Sequence, residues 1–352
     1  MGPCKLYPII KVEERYEDNI FELANDQKGT LVTTATPEFL LNFKCTGKDL
    51  LRFDYKYEIL HYDNISNEDR ANNKFSAAWE MYGKNYFFKL KEDFQQITAA
   101  NTYAAYLIDY NLNDAAATLG ADFDELSFEA KYENQNYDYS IIDNANSYNE
   151  GLYTLDGFYR FLPKTKALLE YTYGKIAYNN DSARNGKYNE FLTGLTGELA
   201  PKATGTVKFG YQWRNYQSIQ NWKQPVTYMN IGYKISSKTS LNITLQRYAV
   251  ESTFTTQNFY ESNVAACNIT QQLTAKTSAY LDIAYDYDRY PASTTATTRR
   301  IDNTWDTKLG LDIKTRRWFN LGASYEFRQR ASNSAIFDYK DNVISAYLKA
   351  MY

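Results

Sequence analysis

The chain has 352 residues, 44% of them hydrophobic and 23% charged, with a formal net charge of −3. A mean hydropathy of −0.60 without an apolar run long enough for a bilayer-crossing helix excludes a helical membrane protein, and scattered, near-neutral charge excludes a nucleic-acid binder. One histidine and three cysteines leave little for a metal or thiol enzyme, while 34 tyrosines exclude a disordered polymer.

The segment Met1-Gly2-Pro3-Cys4-Lys5-Leu6-Tyr7 has no basic stretch leading into an apolar core, so it does not read as a signal peptide. An exported protein with this beginning would have lost its leader. Residues 1–7 are expected to form a short periplasmic lead-in. The next two strands are weakly patterned, up to a tight turn at Thr46-Gly47-Lys48-Asp49. From there period-two alternation dominates, placing one apolar face opposite one polar face on each strand. Arg52, Asp54, Lys56 and Glu58 lie opposite Tyr55, Tyr57, Ile59 and His61. A long polar loop follows at 63–72, then a tight turn at Tyr82-Gly83-Lys84-Asn85 and the polar positions Lys89, Lys91 and Asp93. A further tight turn is expected at 113–117, ahead of Glu125, Glu129, Lys131 and Glu133.

Beyond the loop at 140–146, Asp156 and Arg160 alternate with Tyr153, Tyr159 and Phe161. Lys164, Lys202, Lys238 and Lys276 then mark four similar tight turns, 38, 36 and 38 residues apart, the sign of a repeated hairpin. Lys208 and Arg214 alternate with Val207, Phe209, Tyr211 and Trp213; Asp282, Asp286 and Asp288 alternate with Leu281, Ile283, Tyr285 and Tyr287. The longer loops expected between these turns include 179–187 and 291–300. Asp306, Lys308 and Asp312 oppose Trp305, Leu309, Leu311 and Ile313; after a turn at Lys314-Thr315-Arg316, Glu326, Arg328 and Arg330 oppose Tyr325 and Phe327. The last strand carries Ile344, Ala346, Leu348, Ala350 and Tyr352 on one face.

The segments number about eighteen, with sixteen as the alternative, at about 20 residues per strand and connection. A soluble sandwich also alternates, but it does not need so many meandering strands, and no composition break divides residues 1–352. Aromatic residues near the ends of apolar faces suit the two headgroup boundaries. The expected fold is therefore all-β: one transmembrane antiparallel up-and-down β-barrel with both termini periplasmic, in a bacterial outer membrane. A soluble β-rich surface protein is the third reading, which heat-modifiable gel migration would separate.

Arg15-Tyr16-Glu17-Asp18-Asn19-Ile20-Phe21, followed by Pro37-Glu38-Phe39-Leu40-Leu41 and Leu51 to Tyr57, resembles the opening of an outer-membrane β-barrel porin family whose members accompany exopolysaccharide-biosynthesis genes in Gram-negative bacteria. Leu162-Pro163-Lys164-Thr165, Gly210-Tyr211-Gln212-Trp213-Arg214-Asn215-Tyr216 and Arg317-Trp318-Phe319-Asn320-Leu321-Gly322 are similar to its strand and turn patterns. Ser332-Asn333-Ser334 and Asp338-Tyr339-Lys340-Asp341-Asn342 resemble its last loop and strand. The resemblance spans nearly the whole chain and implies a barrel in an export-linked setting, without catalytic residues.

No phosphate loop, zinc spacing or calcium loop is present, so no cofactor or metal is expected. His61, with Asp63 nearby, reads as a rim residue rather than a general base. No enzyme activity is expected. The polar faces would line a lumen: Arg52, Asp54, Lys56, Glu58, Lys89, Lys91, Glu125, Glu129, Lys131, Asp156, Arg160, Lys208, Arg214, Asp282, Asp286, Asp306, Lys308, Asp312, Glu326 and Arg328. Their mixed signs would pair across the wall; the functional alternative is a polar pore whose charges and inward rings (Tyr103, Phe158, Tyr280) touch a hydrated solute or sugar chain. The outer loops are too short for a large plug, so the channel is expected to be narrowed mainly by its own side chains. Cys4 and Cys45 would both lie at the periplasmic rim, where a disulfide needs Cα atoms within about 7 Å; Cys267 would face lipid. Expected partners are outer-membrane lipids and lipopolysaccharide, with a polysaccharide chain or a periplasmic export protein as further candidates. A scaffold or sheath for such a partner is the alternative to a pore.

Overall fold

A computed structural model describes residues 4–44, 48–100, 106–217, 221–253, 257–291 and 299–352. Eighteen strands follow one another: β1 (Cys4–Glu17), β2 (Thr30–Lys44), β3 (Leu50–Tyr62), β4 (Arg70–Tyr82), β5 (Tyr86–Ala100), β6 (Leu107–Phe123), β7 (Leu126–Tyr139), β8 (Tyr148–Leu162) and β9 (Thr165–Tyr178) make the first half. The second half is β10 (Gly186–Ala200), β11 (Ala203–Tyr216), β12 (Trp222–Lys234), β13 (Thr239–Glu251), β14 (Phe259–Gln272), β15 (Thr277–Arg289), β16 (Ile301–Arg316), β17 (Phe319–Ser332) and β18 (Tyr339–Met351). Each pairs antiparallel with its sequence neighbours, and β1 also pairs with β18. The sheet is thereby closed, which removes its edges. Eighteen strands, not sixteen, is the outcome, because the weakly patterned β1 and β2 pair along their full length.

Cys4–Tyr7 belong to β1, so the lead-in expected over 1–7 is a strand from Cys4 onward. The alternation that defines each strand also sets its faces. Leu169 and Tyr171 on β9, Phe191 and Leu195 on β10 and Phe209 and Tyr211 on β11 stand exposed on the outside. Burying such a face against protein would need a second layer; lipid supplies it instead. The rings mark the boundary at the loop end. Four outward tyrosines, Tyr55, Tyr171, Tyr285 and Tyr325, donate their hydroxyls to Asn73, Asn189, Asn303 and Asn342 on the next strand, each at 2.7 Å. The same diagonal contact thus recurs around the wall, satisfying phenol and amide where an apolar belt gives way to polar residues.

One end of the barrel carries the start of β1, the end of β18 and the described short turns; the opposite ends of the strands carry the described longer connections. Pro163-Lys164, Pro201-Lys202, Lys238 and Lys276 all lie in short turns, as their spacing predicts. Two expected turns are displaced. Residues 113–117 are inside β6, and the turn is at Asp124-Glu125, with Asp124 in the left-handed region (φ 58°). The Asn113-Asp114-Ala115-Ala116-Ala117 run has turn composition but only small side chains, so the alternation fades although the strand continues. The last short turn is Arg317-Trp318 rather than 314–316, which belong to β16.

Candidate functional site

The inward face carries the charged side chains in the parity expected, and most are tied to the wall. Lys56 lies 3.3 Å from Asp54 and 3.8 Å from Glu38, and Glu58 pairs with Lys74 at 2.8 Å. Lys91 pairs with Asp93 and, at 3.5 Å, with Asp114; Lys131 pairs with Glu133. Lys208 meets Glu170 at 2.8 Å and Lys308 meets Glu326 at 2.9 Å. Arg52 donates to Asn42 at 3.2 Å, Arg160 stands 4.0 Å from Asp122, and Lys89 lies over the Phe87 ring at 4.7 Å. Asn268 donates to Asp282, and the Tyr347 hydroxyl donates to Asp312 at 2.5 Å. Glu129 is opposite Asp156, and Asp306 is opposite Arg328, while Asp286 faces Thr304 across its ladder. Ion pairs reached by water contribute about 0–1 kcal/mol each. Their effect is on the shape and charge of the lumen more than on stability.

The inward rings are stowed rather than projecting. Tyr280 lies flat over Gly310, Tyr347 over Gly322, Tyr188 over Gly174 and Phe87 over Gly120, each pair directly opposite on adjacent strands. A Cβ at Gly310 would sit 2.2 Å from the Tyr280 ring. Glycine there is a berth for the partner's aromatic side chain, which covers bare backbone and stays out of the channel. Phe158 is capped by Lys166, 5.6 Å from its centroid. Tyr103 lies outside the described residues.

At the loop end the lumen is narrowed by backbone as well as by side chains. The β4–β5 ladder stops at Lys74–Gln95, and β6 leaves β7 beyond Tyr110–Tyr139, yet β5 and β6 remain paired to Ala100–Leu107. This tip curls over the inner face of β4. Its Thr98 and Asp109, outward by parity, meet the inward Asn72 and Arg70, with Arg70 Nε donating to Asp109 at 2.9 Å. Leu107 and Ala100 join a cluster with Ile20, Phe21, Val32 and Tyr62. The β13–β14 tip behaves alike: β12–β13 pairing ends at Thr227–Arg247, while β13–β14 continues to Glu251–Phe259. Ala249 and Phe259 pack on Leu192, Tyr216, Trp222 and Val226 from the wall.

Glu251 anchors that second tip. Its carboxylate accepts from Arg214 Nη1 at 2.6 Å, the Tyr216 hydroxyl at 2.7 Å and the Tyr178 hydroxyl at 2.9 Å. Arg214 also lies over the Tyr188 ring, and the buried Arg184 donates to the Ser252 carbonyl and to Tyr178. The β1–β2 loop folds inward too. Asn19 is fully buried, its side chain donating to the Leu23 and Lys340 carbonyls and its N–H to Asp341. Arg328 meets Glu17 at 2.8 Å and Asp341 at 2.6 Å, joining β17, β18 and β1.

Several expected site residues are placed differently. Glu125 occupies a turn at the terminal rim, because β7 begins only at Leu126. Arg214 points inward but is buried in the Glu251 network, so it does not line open lumen. To the narrowing expected mainly from side chains, the two curled tips and the β1–β2 loop add backbone. His61 lies near the loop end of β3, and its partner there is Asp69 at 2.9 Å, not Asp63. The Tyr62 N–H, then His61, hold the Asp69 carboxyl below its ordinary value. Cys4 is a free thiol and Cys45 lies outside the described residues. Cys267 follows the outward parity, opposite Ile283 and Ile243. Glu251 and Tyr178 had no distinguishing signal in the sequence, since a tip that leaves the wall keeps its alternation.

A closed antiparallel barrel with an apolar exterior, aromatic residues at its boundaries and a charged interior defines a porin-like barrel of the bacterial outer membrane. Over residues 1–352 the chain matches the family described as "Putative beta-barrel porin 2", and it belongs to that family. No curated protein sequence matches it. Solved structures share the fold at 10% identity, each with 99% of both chains covered: OccK1 (OpdK) of Pseudomonas aeruginosa with a TM-score of 0.55, OccAB3 of Acinetobacter baumannii with 0.54, and OpdK of P. aeruginosa with vanillate at 0.53. At this identity the likeness concerns the fold alone.

Proposed function

We propose that the barrel is a passive pore for hydrated solutes, with the short turns and both termini in the periplasm and the longer loops at the cell surface. The orientation follows the usual build of bacterial outer-membrane barrels. One observation carries the pore reading: inward lysines remain open to water, Lys91 with 52% and Lys131 with 40% of the side chain exposed. A wall of eighteen strands is of the size at which barrels hold an aqueous lumen. The curled tips at the loop end then set the size limit, and the mixed charges set the preference for polar solutes. Passage of a secreted polysaccharide is the finer reading, suggested by the family resemblance and to be judged by block of transport with oligosaccharides.

Liposomes containing the folded protein are expected to swell in isotonic sugar solutions, more slowly as the sugar grows. Absence of swelling with heat-modifiable, folded protein overturns the pore. A tightly co-purifying protein filling the lumen would instead support a scaffold.

A further inference from the structure

We propose that Lys175, Lys187 and Lys223 form a binding site on the outside of the barrel for the phosphates of a lipopolysaccharide headgroup. The site rests on the orientation proposed above, which puts the loop end in the outer leaflet. Lys175 on β9 and Lys187 on β10 are directly opposite in the ladder, and Lys223 on β12 is opposite Trp213. All three are exposed and share parity with the lipid-facing Leu169, Tyr171, Phe191 and Tyr211. Directly opposed like charges on neighbouring strands repel. Among the described residues no carboxylate is within ion-pair distance of any of the three. The nearby Arg247 and Arg289, in contrast, both meet Glu261, at 3.1 and 3.7 Å.

Height decides which anion fits. The Tyr171–Asn189 bond marks the boundary of the apolar belt on β9–β10, and Lys187 is two residues beyond Asn189 on the same face. The adjacent Lys175 is two beyond Tyr173, whose ring faces Tyr153 at 6.3 Å. Lysines one step outside an aromatic row are where headgroup phosphates lie, while the aliphatic stems can lie along the apolar surface. Gly151, opposite Lys175, leaves room beside it: its nearest neighbour to an added Cβ is Tyr132 Oη at 4.0 Å. Asn215, opposite Lys187, adds an amide donor.

The test is titration of delipidated, folded barrel in neutral detergent with purified lipopolysaccharide, following retention of labelled lipid. The variant K175Q/K187Q/K223Q is expected to bind about a hundredfold more weakly than the unaltered protein. A control, K202Q/K238Q/K276Q in the short turns, is expected to retain affinity. Dephosphorylated lipopolysaccharide is expected to bind the unaltered protein as weakly as the intact lipid binds the first variant, and inorganic phosphate in millimolar excess is expected not to compete. Equal affinity of the first variant and the unaltered protein, or loss confined to the turn variant, overturns the site. Retained affinity for dephosphorylated lipid, or full competition by free phosphate, also overturns it as a glycolipid-phosphate site. Loss confined to the turn variant specifically contradicts the orientation, whereas a failure to conduct solutes would leave the binding result standing.

Discussion

Replacing Glu251 with alanine is expected to raise single-channel conductance and to expose the β13–β14 tip to protease. The carboxylate receives Arg214, Tyr216 and Tyr178 together, and both ion-pair partners are almost completely buried. Removing one member of such a pair costs about 3–5 kcal/mol because the other charge stays without compensation. The remaining hold on the tip is burial of Phe259 and Ala249 against the wall, with the ring worth about 1.5–3 kcal/mol, and the Arg184 hydrogen bond to the Ser252 carbonyl, worth about as much again. The loss is thus as large as what remains, and the tip should leave the inner face of β12. Glu251→Gln keeps the size and an acceptor, so an intermediate effect is expected. Conductance and proteolysis unchanged from the unaltered protein would show that the ion pair does not hold the tip.

Arg328→Ala is expected to cause the largest loss of stability among single lumen substitutions. This guanidinium lies among Glu17, Asp341, Glu22 and Glu326, at 2.8, 2.6, 3.5 and 3.4 Å. Asp341 is wholly buried and the Glu17 side chain nearly so. Without the cation, neighbouring carboxylates repel one another at the seam where β18 meets β1 to close the barrel. A cost of about 3–5 kcal/mol is expected from the unpaired buried charge alone. The midpoint of urea unfolding, followed by loss of the fast-migrating folded band, should fall clearly. Arg328→Lys should recover only part, because an ammonium cannot reproduce the planar fork. A midpoint equal to that of the unaltered protein would remove Arg328 from its role at the seam.

Alternation made most of the wall legible before the structure. The inward sets at Arg52–Glu58, Glu129–Glu133 and Asp306–Asp312 have the parity expected, because a period of two leaves a paired strand only two faces. The Lys164, Lys202, Lys238 and Lys276 spacing located four turns for the same reason: hairpins of similar length repeat. What escaped depends on whether a strand pair stays in the wall. Ala249 and Glu251 share parity with the lipid-facing Leu245, yet their side chains are buried because their hairpin turns over β12 and lays its outer face on the inner face of that strand. Thr98 and Asp109 are the counterpart at β5–β6. Asn19-Ile20-Phe21 stood out as a pattern, but its meaning as an inward-folded loop needed Asp341 and Tyr62, far apart in sequence. The tyrosine excess divides accordingly among an outer girdle, rings stowed over glycines, and the packed loop end.

The central claim is a water-filled lumen that runs through the membrane past the curled tips. Single-channel recording of the purified, folded protein in a planar bilayer tests it most directly. Discrete current steps that grow in proportion to salt concentration are the result this structure predicts. Insertion of folded, heat-modifiable barrel without any current steps would contradict it.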